Sequence, residues 1–180
     1  MDAISLEPDL SSLTAAAVYA VLFGFVFVES GLLVGFLLPG DSLLFAAGLL
    51  AADDRSGLSM PLLVGGVLVA AVAGDSVGYA FGARLGRPWL VARVERGRLD
   101  VRHLERAERF YARWGWWAVV AARWVPWVRT FTPILAGASR MHYGRFLTAN
   151  VAGAVTWGAG LLVLGYLSAS TPGLRHTAYV

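Results

Sequence analysis

Of the 180 residues in this chain, 57% are hydrophobic and only 15% charged, against about a quarter charged in soluble domains, so the sequence reads as an all-α integral membrane protein. The absence of cysteine excludes disulfides and thiolate metal sites, and three scattered histidines, His103, His142 and His176, do not make a metal centre. The net charge of +3 comes from fifteen basic residues, all arginine, nine of which lie within 84–113; with no aromatic-studded nucleic-acid motif beside them, they mark a cytoplasmic segment by the positive-inside rule.

The first apolar run, residues 13–52, contains only two charged residues, Glu29 and Asp41. It exceeds the roughly 20 residues of one bilayer crossing but falls short of two crossings with an external turn. Asp2, Glu7 and Asp9 stand where a secretory signal would be positive, so this segment is expected to remain in the mature protein. Pro39-Gly40 breaks the run. A polar loop at 53–59 leads to Pro61, suited to the first turn of a helix, and 60–83 is a full span interrupted only by Asp75. Within it Gly74, Gly78, Gly82 and Gly86 recur every four residues, a small-residue ladder that admits close helix packing.

In the arginine-rich middle, Leu104, Ala107, Phe110, Tyr111 and Trp114 share one helical face. This predicts a cytoplasmic amphipathic helix lying on headgroups, or else a solvated helix packed on its own protein. Residues 114–135 form a second apolar stretch broken by Arg123, Pro126, Arg129 and Pro133, too polar for a simple span. Residues 146–167 form the last span.

With 84–113 cytoplasmic, each broken stretch is most simply a hairpin entering and leaving on one side. The first would turn at Pro39-Gly40 and the second near Pro126. Irregular backbone at membrane depth must face protein or water, so both tips are expected to line a cavity. Pro39, Gly66, Gly78 and Tyr79 lie 87 positions before Pro126, Gly153, Gly165 and Tyr166. The predicted architecture is therefore one membrane domain over 1–180, with two re-entrant hairpins and transmembrane helices in an inverted-topology repeat. It divides into 13–83 (hairpin plus span), 84–113 (cytoplasmic segment) and 114–167 (hairpin plus span).

Charged residues near the bilayer centre cost about 2.5 to 3.5 kcal/mol each on insertion scales. Two acids, Glu29 and Asp41, and two arginines, Arg123 and Arg129, must therefore pair or face water. A bland ion-pair clamp between hairpins is one outcome, though buried pairs stabilise poorly. A binding site is the other. Asp41 and Ser42 occupy N-cap positions of a half-helix over 43–52, and Thr132-Pro133 offers an N-cap and N1 proline for a second short helix. Two helix N-termini beside Arg123 and Arg129 suit an anion, above all a phosphate. Glu29, on the long arm, is the candidate proton-coupling group. Gly74-Asp-Ser-Val-Gly78 looks like a nucleophile box but lacks the strand-turn-helix context and a partner histidine, so Asp75 is read as a cavity-lining residue.

These residues together resemble the DedA family of bacterial membrane proteins, in the SNARE-associated or VTT-domain superfamily that includes eukaryotic lipid scramblases. The carriers are Glu29-Ser-Gly31, Leu38-Pro-Gly-Asp41, Ala73-Gly-Asp-Ser-Val-Gly-Tyr79, Arg123-Trp-Val-Pro126, Arg129-Thr-Phe-Thr-Pro133, Ala136-Gly137, Asn150, Gly153 and Trp157. The resemblance implies re-entrant hairpins and proton-motive-force-dependent flipping of lipid phosphates, notably undecaprenyl phosphate, for cell-envelope synthesis. It also implies that Glu29, Asp41, Arg123 and Arg129 are the required residues. Two departures stand out: Pro126-Trp127 replaces the family's usual Pro-Gly, and members commonly carry a further span after the last Gly-Tyr.

The resulting expectation is a non-enzymatic, multi-pass transporter of the bacterial plasma membrane without cofactor or metal. Arg123 and Arg129 would hold the phosphate and Glu29 and Asp41 the coupling protons, with Pro39, Gly40, Asp75, Pro126, Thr132 and Pro133 supporting the cavity. Its partners would be lipid phosphate, protons and membrane lipids, with a homo-oligomer as a further option. The rival readings are a proton-coupled cation exchanger and a membrane enzyme acting on lipid phosphate.

Overall fold

The computed structural model describes residues 10–31, 40–97 and 100–170, and every regular element among them is helical. Two continuous helices dominate, Met60–Glu95 with 36 residues and Tyr143–Ala169 with 27. At 1.5 Å per residue they reach about 54 and 40 Å, beyond the roughly 30 Å hydrocarbon core of a bilayer.

The first long helix comprises α3 (Met60–Phe81), a π-helical turn (Gly82–Gly86) and α4 (Arg87–Glu95). Ser59 in extended conformation and Pro61 in the first turn set its start. The π turn ends two residues before Pro88, which has no N–H to offer the preceding turn, and the widened geometry absorbs that loss without breaking the helix. The second long helix comprises α7 (Tyr143–Ala154), a π-helical turn (Val155–Ala159) and α8 (Gly160–Ser170).

The other helices lean on these two. α1 (Leu10–Gly31) packs along α3, and α5 (Val101–Ala122) along α7. Two short helices, α2 (Gly40–Leu50, 11 residues) and α6 (Pro126–Ala138, 13 residues), cross over: α2 packs on α8, and α6 on the end of α3 and its π turn. Their lengths of about 16 and 20 Å are too short to cross a hydrocarbon core.

Both crossings use the same device. At one, Gly48 faces the Leu162 carbonyl and Gly165 the Phe45 carbonyl; at the other, Gly137 faces the Tyr79 carbonyl and Gly82 the Ile134 carbonyl. A Cβ at any of these four glycines would collide with backbone of the opposite helix, so backbone packs directly on backbone. The glycine ladder of α3 divides its work. Gly74 lies against Phe27 and Gly31 of α1, whereas Gly78, Gly82 and Gly86 face Pro133, Ile134 and Ala138 of α6.

Apolar residues fill two clusters. Leu22, Val26, Leu44, Leu63, Val67 and Leu162 form one around Trp157. Val119, Ala136, Met141, Phe146 and Ala149 form the other with Tyr111. Tyr79 stacks on Phe146 at 4.7 Å and donates its hydroxyl to the Met141 carbonyl, tying α3 to the α6–α7 turn. That turn closes with Arg140 in the left-handed region (φ 56), where Arg140 N–H donates to Gly137 O and Met141 N–H to Ala136 O. This is a Schellman motif with arginine where glycine is usual.

Several boundaries differ from the sequence expectation. The first short helix begins at Gly40, so Asp41 lies within its first turn and not at its cap; Pro39 lies outside the described residues. The second begins at Pro126, with Val125 as an extended N-cap, and not at Pro133. Pro126 already meets the N1 condition. Pro133 sits inside the helix, where it forfeits one bond to the Arg129 carbonyl, and the Thr132 hydroxyl donates to Val128 O at 2.7 Å instead of capping.

The segment 84–113 falls on two helices. Its first part continues the first long helix to Glu95, Gly97 turns the chain with φ 65, and Asp100 caps α5 by accepting from Arg102 N–H at 2.9 Å. α5 then runs past Arg113 to Ala122 because no proline intervenes. Of the face read from the sequence, Tyr111 is buried while Phe110 and Trp114 are half exposed.

The crossings generate a sharp contrast between glycines. Gly82→Ala and Gly165→Ala are expected to lower stability by about 1 to 3 kcal/mol each, the usual range for overpacking. Gly65→Ala, with nothing within 4 Å of its Cβ position, should gain up to about 1 kcal/mol from helix propensity. Thermal unfolding of the three variants in detergent measures the difference.

Candidate functional site

Each ionisable group singled out by its sequence setting lies at a point where a helix starts, ends or is crossed. Glu29 is two residues from the end of α1, Asp41 in the first turn of α2 and Arg129 one turn into α6. Arg123 immediately follows α5. The turn from α5 to α6 is three residues long, held by Trp124 N–H on Ala121 O (3.2 Å) and Val125 N–H on Ala122 O (3.0 Å). Pro126 then fixes the start of α6 and sets Arg129 one turn inward.

Arg129 joins both acids of the first half. Its Nη1 donates to Asp41 Oδ1 at 2.7 Å and its Nη2 to Glu29 Oε1. The contact requires glycine at position 40, where a Cβ would collide with the Glu29 carboxylate. Glu29 is 3% exposed, whereas the Asp41 side chain keeps 46% of its surface; the pair therefore presents one sealed carboxylate and one open one to a single guanidinium.

Arg123 is held separately. Its Nη1 donates to Asp75 Oδ2 and, at 2.9 Å, to Asn150 Oδ1, while Asn150 Nδ2 donates to Val72 O at 3.4 Å. Arg123 and Asp75 are 5% and 4% exposed. The Arg123 Nε and Nη2, and the Glu29 Oε2, are buried without a hydrogen-bond partner among the described residues. Breaking a buried pair by removing one partner costs about 3 to 5 kcal/mol, so these contacts fix the relative placement of α3, α5 and α7.

Trp157 joins the two groups. It lies in the π turn of the second long helix, with its ring 4.7 Å from the Arg129 guanidinium and 5.4 Å from that of Arg123. Its indole N–H donates to Asp41 Oδ1 at 2.9 Å. One indole thus offers a π face to both cations and a hydrogen bond to their most exposed acid.

The four residues expected to carry the site do come together, but their pairing differs from a simple balance of two acids and two arginines. Asp75 enters as a third carboxylate, bonded to the arginine that neither Glu29 nor Asp41 reaches. With all five groups ionised the cluster carries −1. Asn150 and Trp157 belong to the site without having been assigned to it from the sequence. A polar amide in the middle of an apolar span was a signal for Asn150, whereas Trp157, one of seven tryptophans, stood out only as a carrier of the family resemblance. Thr132 and Pro133 are buried in α6 away from its N-terminus, and Gly78 packs against Pro133.

The N-termini of the two short helices adjoin the cluster, although at other residues than anticipated. α2 brings Gly40 and Asp41, and α6 brings Arg129, so the positive ends of both short helices adjoin the cluster. Glu29 and Asp41 are favourable neighbours of those ends, and an anion would be equally so.

A family model described as the VTT domain matches residues 38–167. An uncharacterized membrane protein of Mycobacterium leprae is 38% identical over 162 residues, 90% of this chain and 71% of its own length. An uncharacterized membrane protein of Mycobacterium tuberculosis is 40% identical over 147 residues, 82% and 64% of the two lengths. The protein DedA of Escherichia coli K12 is 39% identical over 155 residues, 86% and 70%. The chain thus spans roughly two thirds of the length of these curated relatives. No solved structure gives a match. With the family model covering most of the chain and relatives near 40% identity on either side of it, this chain belongs to the VTT-domain, or DedA, family of membrane proteins.

Proposed function

We propose that this chain moves lipid phosphates between the leaflets of a bacterial plasma membrane, with polyprenyl phosphate such as undecaprenyl phosphate as the substrate and protons as the coupling ion. The observation that carries the reading is Arg123: a 5%-exposed guanidinium with two nitrogens, Nε and Nη2, unpaired among the described residues, sharing an indole with a second arginine. A guanidinium fork with free donors suits phosphate oxygens. Arg129 would turn from its two carboxylates to the same phosphate while the lipid tail stays in the bilayer.

The two short helices, each too short to cross and each starting at the cluster, support re-entrant hairpins as the setting. Their matching glycine crossings support an inverted-topology repeat, with the arginine-rich start of α5 on the cytoplasmic side. Along α5, Arg123 lies about 15 Å from Arg113, the last charged residue before it. That is half of the roughly 30 Å hydrocarbon core and supports a midplane position for Arg123 with Arg113 at the headgroups.

Charge decides the direction of coupling. A cluster of three carboxylates and two guanidiniums becomes more negative when a phosphate binds, so the bound state takes up protons. By linkage, binding tightens as pH falls. The excess carboxylate and the unpaired Glu29 Oε2 favour one rival, a proton-coupled cation exchanger, and that rival predicts that neutralising the arginines is tolerated.

In liposomes with labelled polyprenyl phosphate, wild type should exchange the lipid between leaflets, and Arg123→Ala should be slower by about thirtyfold. That is the counterpart of roughly 2 kcal/mol for a lost charge-assisted contact. Equal exchange in both, or cation exchange retained by Arg123→Ala, would overturn the reading. The wild-type rate should rise as external pH falls, and Glu29→Gln should flatten the profile. A pH dependence in Glu29→Gln like that of wild type would remove Glu29 as the coupling group.

A further inference from the structure

Between the middle of α5 and the first turn of α7 lies an open groove of about 640 Å³ lined by Arg113, Trp114, Trp116, Trp117 and Arg145. We propose that it binds a lipid-borne phosphate: the headgroup of an anionic phospholipid, held between Arg113 and Arg145 with its chains lying along the exposed tryptophans. Three features of the groove point to this occupant.

The first is depth. Arg113 is the last of the closely spaced arginines on α5, and Trp114, Trp116 and Trp117 follow it directly; Arg145 lies in the first turn of the long apolar helix Tyr143–Ala169. Both helices therefore change from polar to apolar at the level of the groove. Tryptophan concentrates at that level in membrane proteins, beside the headgroups.

The second is charge. Arg113 lies 5.5 Å from the Trp114 ring, and none of the lining residues is acidic. The nearest carboxylates on α5 are committed elsewhere, Glu105 to Arg109 and Glu108 to Arg87. The pair of arginines is thus uncompensated by any lining carboxylate, and an anion would complement it.

The third is preorganisation. Arg145 Nη1 donates to Ala112 O at 2.5 Å and Nη2 to Arg113 O at 3.2 Å, and Trp116 Nε1 donates to Thr148 Oγ1 at 3.2 Å. The first two bonds use two of the five guanidinium donors, fix the fork against α5 and leave three. Trp114 and Trp117 stay more than half exposed, at 51% and 64%, which gives acyl chains an apolar wall beside the phosphate. A free phosphate ion would use the arginines but not that wall.

The test uses the full chain in phosphatidylcholine vesicles containing a small fraction of brominated lipid, whose bromines quench nearby tryptophans. Quenching by brominated phosphatidylglycerol should exceed that by brominated phosphatidylcholine. The preference should fall about fivefold for Arg113→Gln, the counterpart of about 1 kcal/mol per basic residue at the surface, and further for Arg113→Gln/Arg145→Gln. Arg102→Gln, with the same charge change outside the groove, should keep it. Arg113→Gln leaves the Arg145 bonds to α5 in place, so it reports on binding even if the double variant fails to fold. An unchanged preference in Arg113→Gln would overturn the site. An equal loss in Arg102→Gln would replace it with diffuse charge attraction, and displacement by millimolar inorganic phosphate would make it a free-anion site. None of these outcomes depends on transport.

Discussion

Holding two guanidiniums away from water is the constraint on which the rest of this molecule depends. A buried cation needs carboxylates and hydrogen bonds from several directions at once, and no single helix can supply them. Arg129 draws on the end of α1 and the start of α2; Arg123 draws on the middle of α3 and α7. Other features follow from that demand. Position 40 is glycine because the Glu29 carboxylate fills the space of a side chain, and the crossings run on glycine because the short helices must lie close to the long ones to deliver their ends.

The two arginines are not equivalent. Arg129 has a separate carboxylate on each terminal nitrogen and reaches an acid that is nearly half exposed, whereas Arg123 places both its bonds on one nitrogen and is sealed. Trp157 touches both and also bonds Asp41, so a displacement of Asp41 is felt at either cation. Its place in a π turn matters here, because such turns are frequent at functional sites and reorient the side chains they carry.

Much of this arrangement was legible in the sequence. Glu29, Asp41, Arg123 and Arg129 stood out because ionised groups in apolar runs are costly, and family membership followed from motifs spread over most of the chain. The pairing was not legible: which acid meets which arginine depends on how α3 and α7 cross, and Asp75 and Asn150 are partners only because of that crossing. Helix starts were misplaced for a local reason. Pro126 and Pro133 both fit an N1 position, and only the packing of α6 on the end of α3 selects the earlier. The division drawn after Arg113 falls inside one helix because an amphipathic turn and an apolar turn can share a helix when neither contains a breaker.

The crossed packing of the short helices bears on the order in which the chain can be assembled. α2 rests on α8, and well over a hundred residues separate Gly48 from the Leu162 backbone it meets. While the chain is being synthesised, α2 must therefore wait in or beside the bilayer, too short to cross it and without its main contact, until α8 has emerged. Asp41 waits with it, since its partners Arg129 and Trp157 also lie downstream. The contacts of the amino-terminal half with the rest of the chain, and the charged cluster they build, are thus complete only once α8 has followed.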